Sequence, residues 1–227
     1  VAVVGILLII ETRDWTSPAG AYMAFIGGLA LWAWHEMSYF LGSITGPRPE
    51  GCEPGETRWR RFVLGVRASL WHELAIVFTA LALILLTWNH ANSIATLTFV
   101  TFWLMRWSAK LNIFFGVRNL HEEFWPEHMR YLSSYVQIAR MNAFFPLSML
   151  AAGLAMFWMI NRAQLAAPGS LDQVGLTLVA TMLGLAILEH VLLFLRVPDA
   201  LLWKLATGGE PKPAIEYSAK LNTSQGS

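Results

Sequence analysis

The stretch LDQVGLTLVATMLGLAILEHVLLFL, residues 171–195, decides the fold of this chain. Apart from its first residues and the pair Glu189-His190 it is apolar, and it exceeds the roughly 20 residues that a helix needs to cross a bilayer. Stretches of similar character lie upstream, at residues 18–42, 62–88, 91–115 and 141–160. The sequence therefore predicts an all-α fold, a polytopic transmembrane helix bundle with five full spans.

A shorter apolar segment, residues 1–10, precedes these five spans. It lacks the charged residues that open a signal peptide, and it is about half as long as a span. We expect it to be the end of a truncated N-terminal span. The composition agrees with a membrane protein: 56% of the residues are hydrophobic, only 14% are charged, and the mean hydropathy is +0.48.

Charge and cysteine content exclude several classes of partner and site. The 16 basic and 15 acidic residues nearly balance, which gives no reason to expect a nucleic acid as partner. The single cysteine, Cys52, excludes an internal disulfide framework and a cysteine-based zinc cluster. The partner that the composition does predict is the lipid bilayer.

The basic residues predict how the spans are oriented. All but two of the 16 lysines and arginines lie in or beside the connections that follow the first and third full spans, or after the last span. Only Arg13 and Arg162 lie at the other ends of the spans. Because basic residues collect on the cytoplasmic side of membrane proteins, we expect a cytoplasmic C-terminus.

Two segments outside the spans carry further expectations. Residues 126–138 start with Pro126 and are predicted to form a short helix on the cytoplasmic surface. Residues 207–227 combine glycine, proline and polar residues, which is typical of a flexible tail. The predicted organisation is one transmembrane domain, residues 1–206, followed by this cytoplasmic tail.

Adjacent histidine and glutamate residues recur inside three of the predicted spans, where ionisable side chains are costly and usually functional. The pairs are His35-Glu36, His72-Glu73 and Glu189-His190. Counted from the span ends at 1.5 Å per residue, they lie at one depth, roughly 10–15 Å from the cytoplasmic face. The rim of this cluster is predicted in the connection after the third span, at Glu122, Glu123 and His128.

Such a cluster can serve different chemistries, which the sequence leaves open. Imidazole and carboxylate groups suit Fe, Zn or Mn, and helix bundles hold such metals between facing helices. The candidate metal ligands are His35, Glu36, His72, Glu73, Glu122, Glu123, His128, Glu189 and His190. Alternatively, an imidazole can ligate the central metal of a tetrapyrrole, for which the candidates are His35, His72 and His190. The pairs can also form a proton path.

A purely structural explanation stands beside these, because buried histidine and glutamate on facing helices can hydrogen-bond and fix the helix register. Arg106 and Lys110, one helical turn apart, are expected either to balance the carboxylates of the cluster or to extend to the membrane interface.

Four motifs resemble the PuhE family, the photosynthetic complex assembly proteins of purple phototrophic bacteria. They are WHEMSYFLG at residues 34–42, WHEL at 71–74, KLNIFFGV at 110–117 and HEEFWPEHMRYL at 121–132. The resemblance extends over residues 20–196. It implies a protein of the bacterial inner membrane, encoded with the reaction-centre H subunit, that acts in the assembly of reaction centres and light-harvesting complexes or in bacteriochlorophyll supply.

Three functions therefore compete at the level of sequence. The first is an assembly or accessory factor of the photosynthetic apparatus that handles bacteriochlorophyll or a precursor. The second is a metal-dependent, di-iron-like oxidoreductase of the membrane that acts on a tetrapyrrole or an isoprenoid. The third is a structural subunit of the reaction-centre–antenna complex. Reaction-centre or light-harvesting subunits are the expected protein partners.

Overall fold

The computed structural model describes residues 1–53, 55–119 and 126–195. Within these residues the chain forms seven α-helices and a 3₁₀ helix. They are α1 Ala2–Thr12, α2 Pro18–Phe40, α3 Arg58–Ala68, α4 Leu70–Thr87, α5 Ile94–Phe115, the 3₁₀ helix Glu127–Tyr135, α6 Phe144–Leu165 and α7 Leu171–Leu192. No strand forms in the described ranges, where an isolated bridge pairs Val117 with Ile138. The all-α prediction is confirmed.

Three helices in the described part of the chain, α4, α6 and α7, are long and apolar enough to cross a membrane. Only 33%, 17% and 28% of their apolar windows are buried within the protein. The large exposed side chains on them, such as Phe78, Leu85 and Phe157, are suited to contact lipid. α2 and α5, with 23 and 22 residues, have comparable lengths but carry charged residues. That α2 and α5 also cross the membrane, which would make five full spans, therefore stays a prediction.

The predicted span at residues 62–88 is divided into two helices. α3 already begins at Arg58, and the break falls at Ser69, where φ is −124° and ψ is 14°. A distant loop causes the break: the amide of His72 donates to the carbonyl of Thr45 at 3.0 Å. Gly46 lies so close that a Cβ there would be 2.1 Å from the carbonyl oxygen of Arg67, so this contact requires glycine.

α3 and the 3₁₀ helix pack on each other beside the bundle. Leu64 and Ala68 of α3 are buried together with Tyr135 of the 3₁₀ helix, whereas Trp59 is 73% exposed. A helix therefore forms within the predicted residues 126–138, with 3₁₀ geometry and narrower bounds, whereas its position on the cytoplasmic surface stays a prediction.

α2 lies at the centre of the bundle and packs against α1, α4, α5 and α7. Its contact with α5 depends on Gly28, where a Cβ would lie 2.6 Å from the carbonyl oxygen of Ala95. Small residues of this kind let helix backbones approach each other closely. α2 therefore presents the residues near its C-terminal end directly to its neighbours.

Polar contacts close the opposite end of the bundle. Asn92, 1% exposed, donates to the carbonyl oxygens of Thr12 and Gly20, each at 3.0 Å. His90 Nδ1 lies 2.8 Å from Asp14 Oδ1. These bonds join the α1–α2 and α4–α5 connections. His90 therefore belongs to this end of the bundle and not to the candidate histidines.

Residues Val1–Phe194 form one compact unit. The predicted tail, residues 207–227, lies outside the described residues, as do Glu122 and Glu123.

Candidate functional site

Ionisable side chains from three helices meet near the C-terminal end of α2, and we name them the paired-charge cluster. Its members are His35 and Glu36 from α2, His72 and Glu73 from α4, and Arg106 and Lys110 from α5. The structure thus brings together two of the three histidine–glutamate pairs that the sequence singled out. It adds the two cations, whose role the sequence left open.

Glu36 is paired with a cation and lies beside a histidine. Its Oε2 is 3.1 Å from Nη2 of Arg106, and its Oε1 is 3.7 Å from Nε2 of His72. The Glu36 and Arg106 side chains are 27% and 35% exposed, so this pair is partly accessible. The pairing joins α2 to α5.

Glu73 and Lys110 form the second and more deeply buried pair. The Lys110 ammonium donates to Oε1 of Glu73, and the two side chains are 28% and 11% exposed, respectively. The ammonium also lies 5.2 Å from the ring centre of Tyr39, in a cation–π contact. The other carboxylate oxygen, Oε2, is buried and has no partner among the described residues. This pair joins α4 to α5.

His72 is fully buried, and neither ring nitrogen has a hydrogen-bond partner among the described residues. Oε1 of Glu36 is beyond normal hydrogen-bond distance. The imidazole packs on the ring of Tyr39, with 4.4 Å between the ring centres and 31° between the planes. Because buried polar groups are nearly always hydrogen-bonded, His72 is the least satisfied group of the cluster.

His35 is better satisfied. Its Nε2 is hydrogen-bonded to the hydroxyl of Thr79 at 2.9 Å, whereas Nδ1 is buried without a partner among the described residues. Its ring centre lies 6.3 Å from that of His72 and 5.7 Å from that of Phe99. The bond to Thr79 joins α2 to α4 and supports a structural role.

The third predicted pair, Glu189-His190, lies on α7 beside the cluster. His190 is 1% exposed, and its Nδ1 donates to the carbonyl of Ala186 at 2.8 Å. A carbonyl only accepts, so Nε2 of the neutral ring accepts the hydroxyl of Ser108 at 3.1 Å. Both nitrogens are therefore occupied. Glu189 is exposed, because adjacent helical residues point about 100° apart.

His128 is exposed, and its Nε2 hydrogen-bonds to the carbonyl of Phe40 at 3.1 Å. It thereby satisfies a carbonyl at the C-terminal end of α2, where helix carbonyls lack intrahelical partners. Glu122 and Glu123, which were predicted beside it, fall outside the described residues. His128 therefore caps the C-terminal end of α2 in this structure.

The described residues contain no group of three or more histidine, cysteine, aspartate or glutamate side chains arranged to hold a metal ion. In the paired-charge cluster the carboxylates face cations instead. Metal binding by the nine candidate ligands and tetrapyrrole binding by the three histidines stay predictions.

A cavity of about 440 Å³ lies against the paired-charge cluster, and we name it the α3–α5 cavity. Glu36, Glu73, Arg106 and Lys110 line its polar end. Its remaining walls are mostly apolar and come from α3, α5 and the 3₁₀ helix, with Phe62, Val66, Leu111, Phe114, Met129 and Leu132 among them. Its volume lies within the range of about 300–1,000 Å³ that is usual for small-molecule sites.

Tyr135 forms part of the wall contributed by the 3₁₀ helix. Its hydroxyl donates to the carbonyl of Glu50 at 2.6 Å, and burial raises the pKa of this phenol above its usual value. Tyr135 therefore stays a neutral donor and fixes the loop before α3 to the cavity wall.

A second cavity of about 300 Å³ lies between α2, α5 and α7. It also contacts Glu36 and Arg106, and it extends to Glu189 and His190. The Glu36–Arg106 pair is therefore the wall that the two cavities share. Glu36 of the first pair and both residues of the third pair therefore line one cavity.

Sequence reasoning missed Tyr39, Thr79 and Ser108, which contact the three buried histidines. Tyr39 had a usable signal, since it lies one helical turn from both His35 and Glu36 on the same face. Thr79 and Ser108 had none, because their partners are 44 and 82 residues away in the chain.

Fold and site together define a helical membrane protein with a charge-paired interior and an adjoining apolar cavity. The chain matches, over residues 1–214, the family described as "Protein of unknown function (DUF3623)", and it belongs to that family. It is 32% identical, over 200 residues, to the "Uncharacterized 30.4 kDa protein in puhA 5'region" of Rhodobacter capsulatus. The match includes 88% of this chain and 72% of that relative. No solved structure matches the chain significantly.

Proposed function

We propose that this protein is an assembly or accessory factor of the bacterial photosynthetic apparatus, and that its helix bundle holds a lipid-soluble ligand. The role is supported by the relative from Rhodobacter capsulatus, whose description places it in the 5' region of puhA. The resemblance of the WHEMSYFLG and HEEFWPEHMRYL motifs to the PuhE family points the same way. Reaction-centre and light-harvesting subunits are the proposed partners.

One observation supports a lipid-soluble ligand: the α3–α5 cavity has mostly apolar walls and four charged side chains at one end. This is the usual design of a small-molecule site, in which apolar walls supply the affinity and a few polar groups orient the ligand. A pigment of the photosynthetic membrane, bacteriochlorophyll or a precursor, belongs to the class of lipid-soluble molecules that such a cavity accepts.

We also propose the complete topology. The bundle crosses the bacterial inner membrane with five full spans, of which α2 and α5 carry charged residues. The C-terminus lies in the cytoplasm. Support comes from the ion pairs, because each carboxylate that α2 and α4 would bring into the membrane is paired with a cation from α5. The excess of basic residues beside alternate connections supports the orientation.

The proposal is tested by deleting the gene in a purple bacterium that carries it and recording near-infrared absorption spectra of isolated membranes. A loss of the reaction-centre or antenna bands, restored by the gene in trans, supports it. Normal levels of both complexes under all phototrophic conditions would count against an assembly role. If the protein instead co-purifies stoichiometrically with reaction centres in native membranes, it is a structural subunit.

A second function, a metal-dependent oxidoreductase, rests on a separate observation. His72 has two free ring nitrogens, His35 Nδ1 is also without a partner among the described residues, and Glu36 lies 3.7 Å from His72. Imidazole and carboxylate groups of this kind suit Fe, Zn or Mn. Metal analysis of the detergent-purified protein tests this function. Stoichiometric metal that is lost in His72→Ala supports it, and its absence from correctly folded protein refutes it.

A further inference from the structure

The first turn of α3 carries an unbalanced positive charge. It reads RWRR over residues 58–61, and we name these four residues the basic turn. Arg60 is paired with Glu56 at 2.9 Å, whereas Arg58 and Arg61 form no ion pair within the described residues. Cations are unfavourable at the N-terminal end of a helix, where the helix dipole is positive. The stability of α3 therefore does not explain these arginines.

A continuous run of aromatic rings connects the basic turn to the ends of α5 and α6. Trp59 stacks on Phe62 with 5.8 Å between the ring centres, and Phe62 meets Phe114 edge to face at 5.2 Å. The run continues to Phe115, the last residue of α5, and to Phe144, the first residue of α6. Aromatic rings collect where a span leaves the hydrocarbon of a bilayer. Since α6 is long and apolar enough to cross a membrane, the run marks that level.

α3 does not continue the direction of α4. If it did, Phe62 would lie about 16 Å beyond Glu73 along the common axis, at about 1.5 Å per residue. Their partners on α5, Phe114 and Lys110, are only four residues apart, which is about 6 Å along that helix. α3 is therefore inclined to α4 after the break at Ser69, and its first turn stays near the level at which α5 ends.

We infer that the basic turn docks on the head groups of anionic phospholipids, with the ring of Trp59 between the lipids and the guanidinium groups of Arg58 and Arg61 on phosphate oxygens. Trp59 is 73% exposed, so its ring is available to the bilayer. Arg58 is also exposed, whereas Arg61 is half-buried and its Nε has no partner among the described residues.

The chemistry of these side chains matches this occupant. Guanidinium groups bind phosphate through two parallel hydrogen bonds, and an indole ring is suited to the boundary between head groups and hydrocarbon. Unpaired cations beside a span are attracted to anionic lipid. This inference goes beyond the proposed function and does not depend on which ligand the α3–α5 cavity holds.

The test uses the full chain purified in detergent micelles, with native mass spectrometry as the assay. Phosphatidylglycerol and phosphatidylcholine with identical acyl chains are titrated separately, because they differ in net charge and not in hydrocarbon. Each unpaired arginine is expected to favour the anionic lipid roughly fivefold, so phosphatidylglycerol should bind about 25-fold more tightly. Inorganic phosphate is the third probe. It is not expected to displace phosphatidylglycerol, because it lacks the hydrocarbon that contacts Trp59.

Four variants locate the site. The double variant Arg58→Gln, Arg61→Gln removes both unpaired charges and is expected to abolish the preference for phosphatidylglycerol, whereas Arg58→Lys, Arg61→Lys keeps the charges and most of the preference. Trp59→Ala is expected to weaken both lipids alike and to leave their ratio unchanged. Arg162→Gln is the matched control, because it removes an exposed arginine without an ion pair, among the described residues, from the opposite end of α6. It should leave the preference unchanged.

Equal affinity of the unchanged chain for the two lipids would overturn the inference in favour of an acidic protein segment as the occupant. A preference that survives in Arg58→Gln, Arg61→Gln would overturn the assignment to the basic turn. Displacement of phosphatidylglycerol by inorganic phosphate would overturn the lipid in favour of a soluble anion. Circular dichroism of each variant confirms that it is folded, and the lysine variant tests the charges with the least change in packing.

Discussion

The buried pair between Glu73 and Lys110 permits a sharp test of how the bundle holds its charges. Lys110→Met keeps the length and much of the volume of the side chain but removes the ammonium. Glu73 is then left with an uncompensated charge on a side chain that is 11% exposed. Loss of one partner of a buried ion pair typically costs about 3–5 kcal/mol, and we expect a decrease in the free energy of unfolding of this size.

The double variant Glu73→Gln, Lys110→Met should recover most of that loss. It removes both charges, so nothing is left buried and unpaired, and replacement of a buried pair by uncharged residues is often nearly neutral. The Glu73→Gln variant alone should also be destabilised, because the ammonium beneath Tyr39 then lacks its carboxylate. The coupling between the two substitutions is the quantity of interest, since it isolates the pair from the packing changes.

The assay is reversible unfolding in mixed micelles, by titration with sodium dodecyl sulfate and detection by circular dichroism. Arg162→Met is the control, because Arg162 is exposed in the last turn of α6 and forms no ion pair within the described residues. It should change stability by less than about 0.5 kcal/mol. A Lys110→Met variant as stable as this control, or a double variant as unstable as the worse single variant, would refute the reasoning.

Three further substitutions test other parts of the bundle by the same unfolding assay. Asn92→Ala removes three hydrogen bonds, two donated to carbonyls and one accepted from the amide of Ile94, from a side chain that is 1% exposed. It should cost about 2–4 kcal/mol, whereas a loss below about 1 kcal/mol would contradict the role of these bonds in closing that end. Gly28→Ala places a Cβ 2.6 Å from the carbonyl oxygen of Ala95 and should cost about 1–3 kcal/mol through overpacking. Tyr135→Phe removes the bond to Glu50 and should cost about 1 kcal/mol. Because burial raises the pKa of Tyr135, its contribution to stability should be lost as the pH rises above about 10, and this loss should be absent in Tyr135→Phe.

The apolar helices could be predicted from the sequence because their length alone is informative. The observed α7, Leu171–Leu192, starts where its apolar stretch starts, and Ser170 caps it by accepting from the amide of Gln173. The division of the stretch at residues 62–88 could not be predicted. It depends on the docking of Gly46 and Thr45, which lie in a different loop, and no local pattern records such a contact.

The paired-charge cluster could be predicted in part. Counting residues from the span ends placed His35, Glu36 and His72 at one depth, and the structure brings these side chains together. However, this count does not show on which face of its helix a side chain lies, and the face decides which partner the side chain contacts. His190 accordingly contacts Ser108 rather than the other histidines.

The cations of α5 change what the two glutamates can bind. Without them, Glu36 and Glu73 would be two unpaired carboxylates, a ligand type that suits metal ions. With Arg106 and Lys110 in place, a metal bound to these carboxylates would have to displace both cations from their partners. The histidines are not constrained in this way, since His72 is neutral when it offers a lone pair and has no partner to lose among the described residues. The two functional hypotheses therefore separate by residue: metal chemistry would centre on His72 and His35, whereas a lipid-soluble ligand would occupy the α3–α5 cavity, which neither histidine lines.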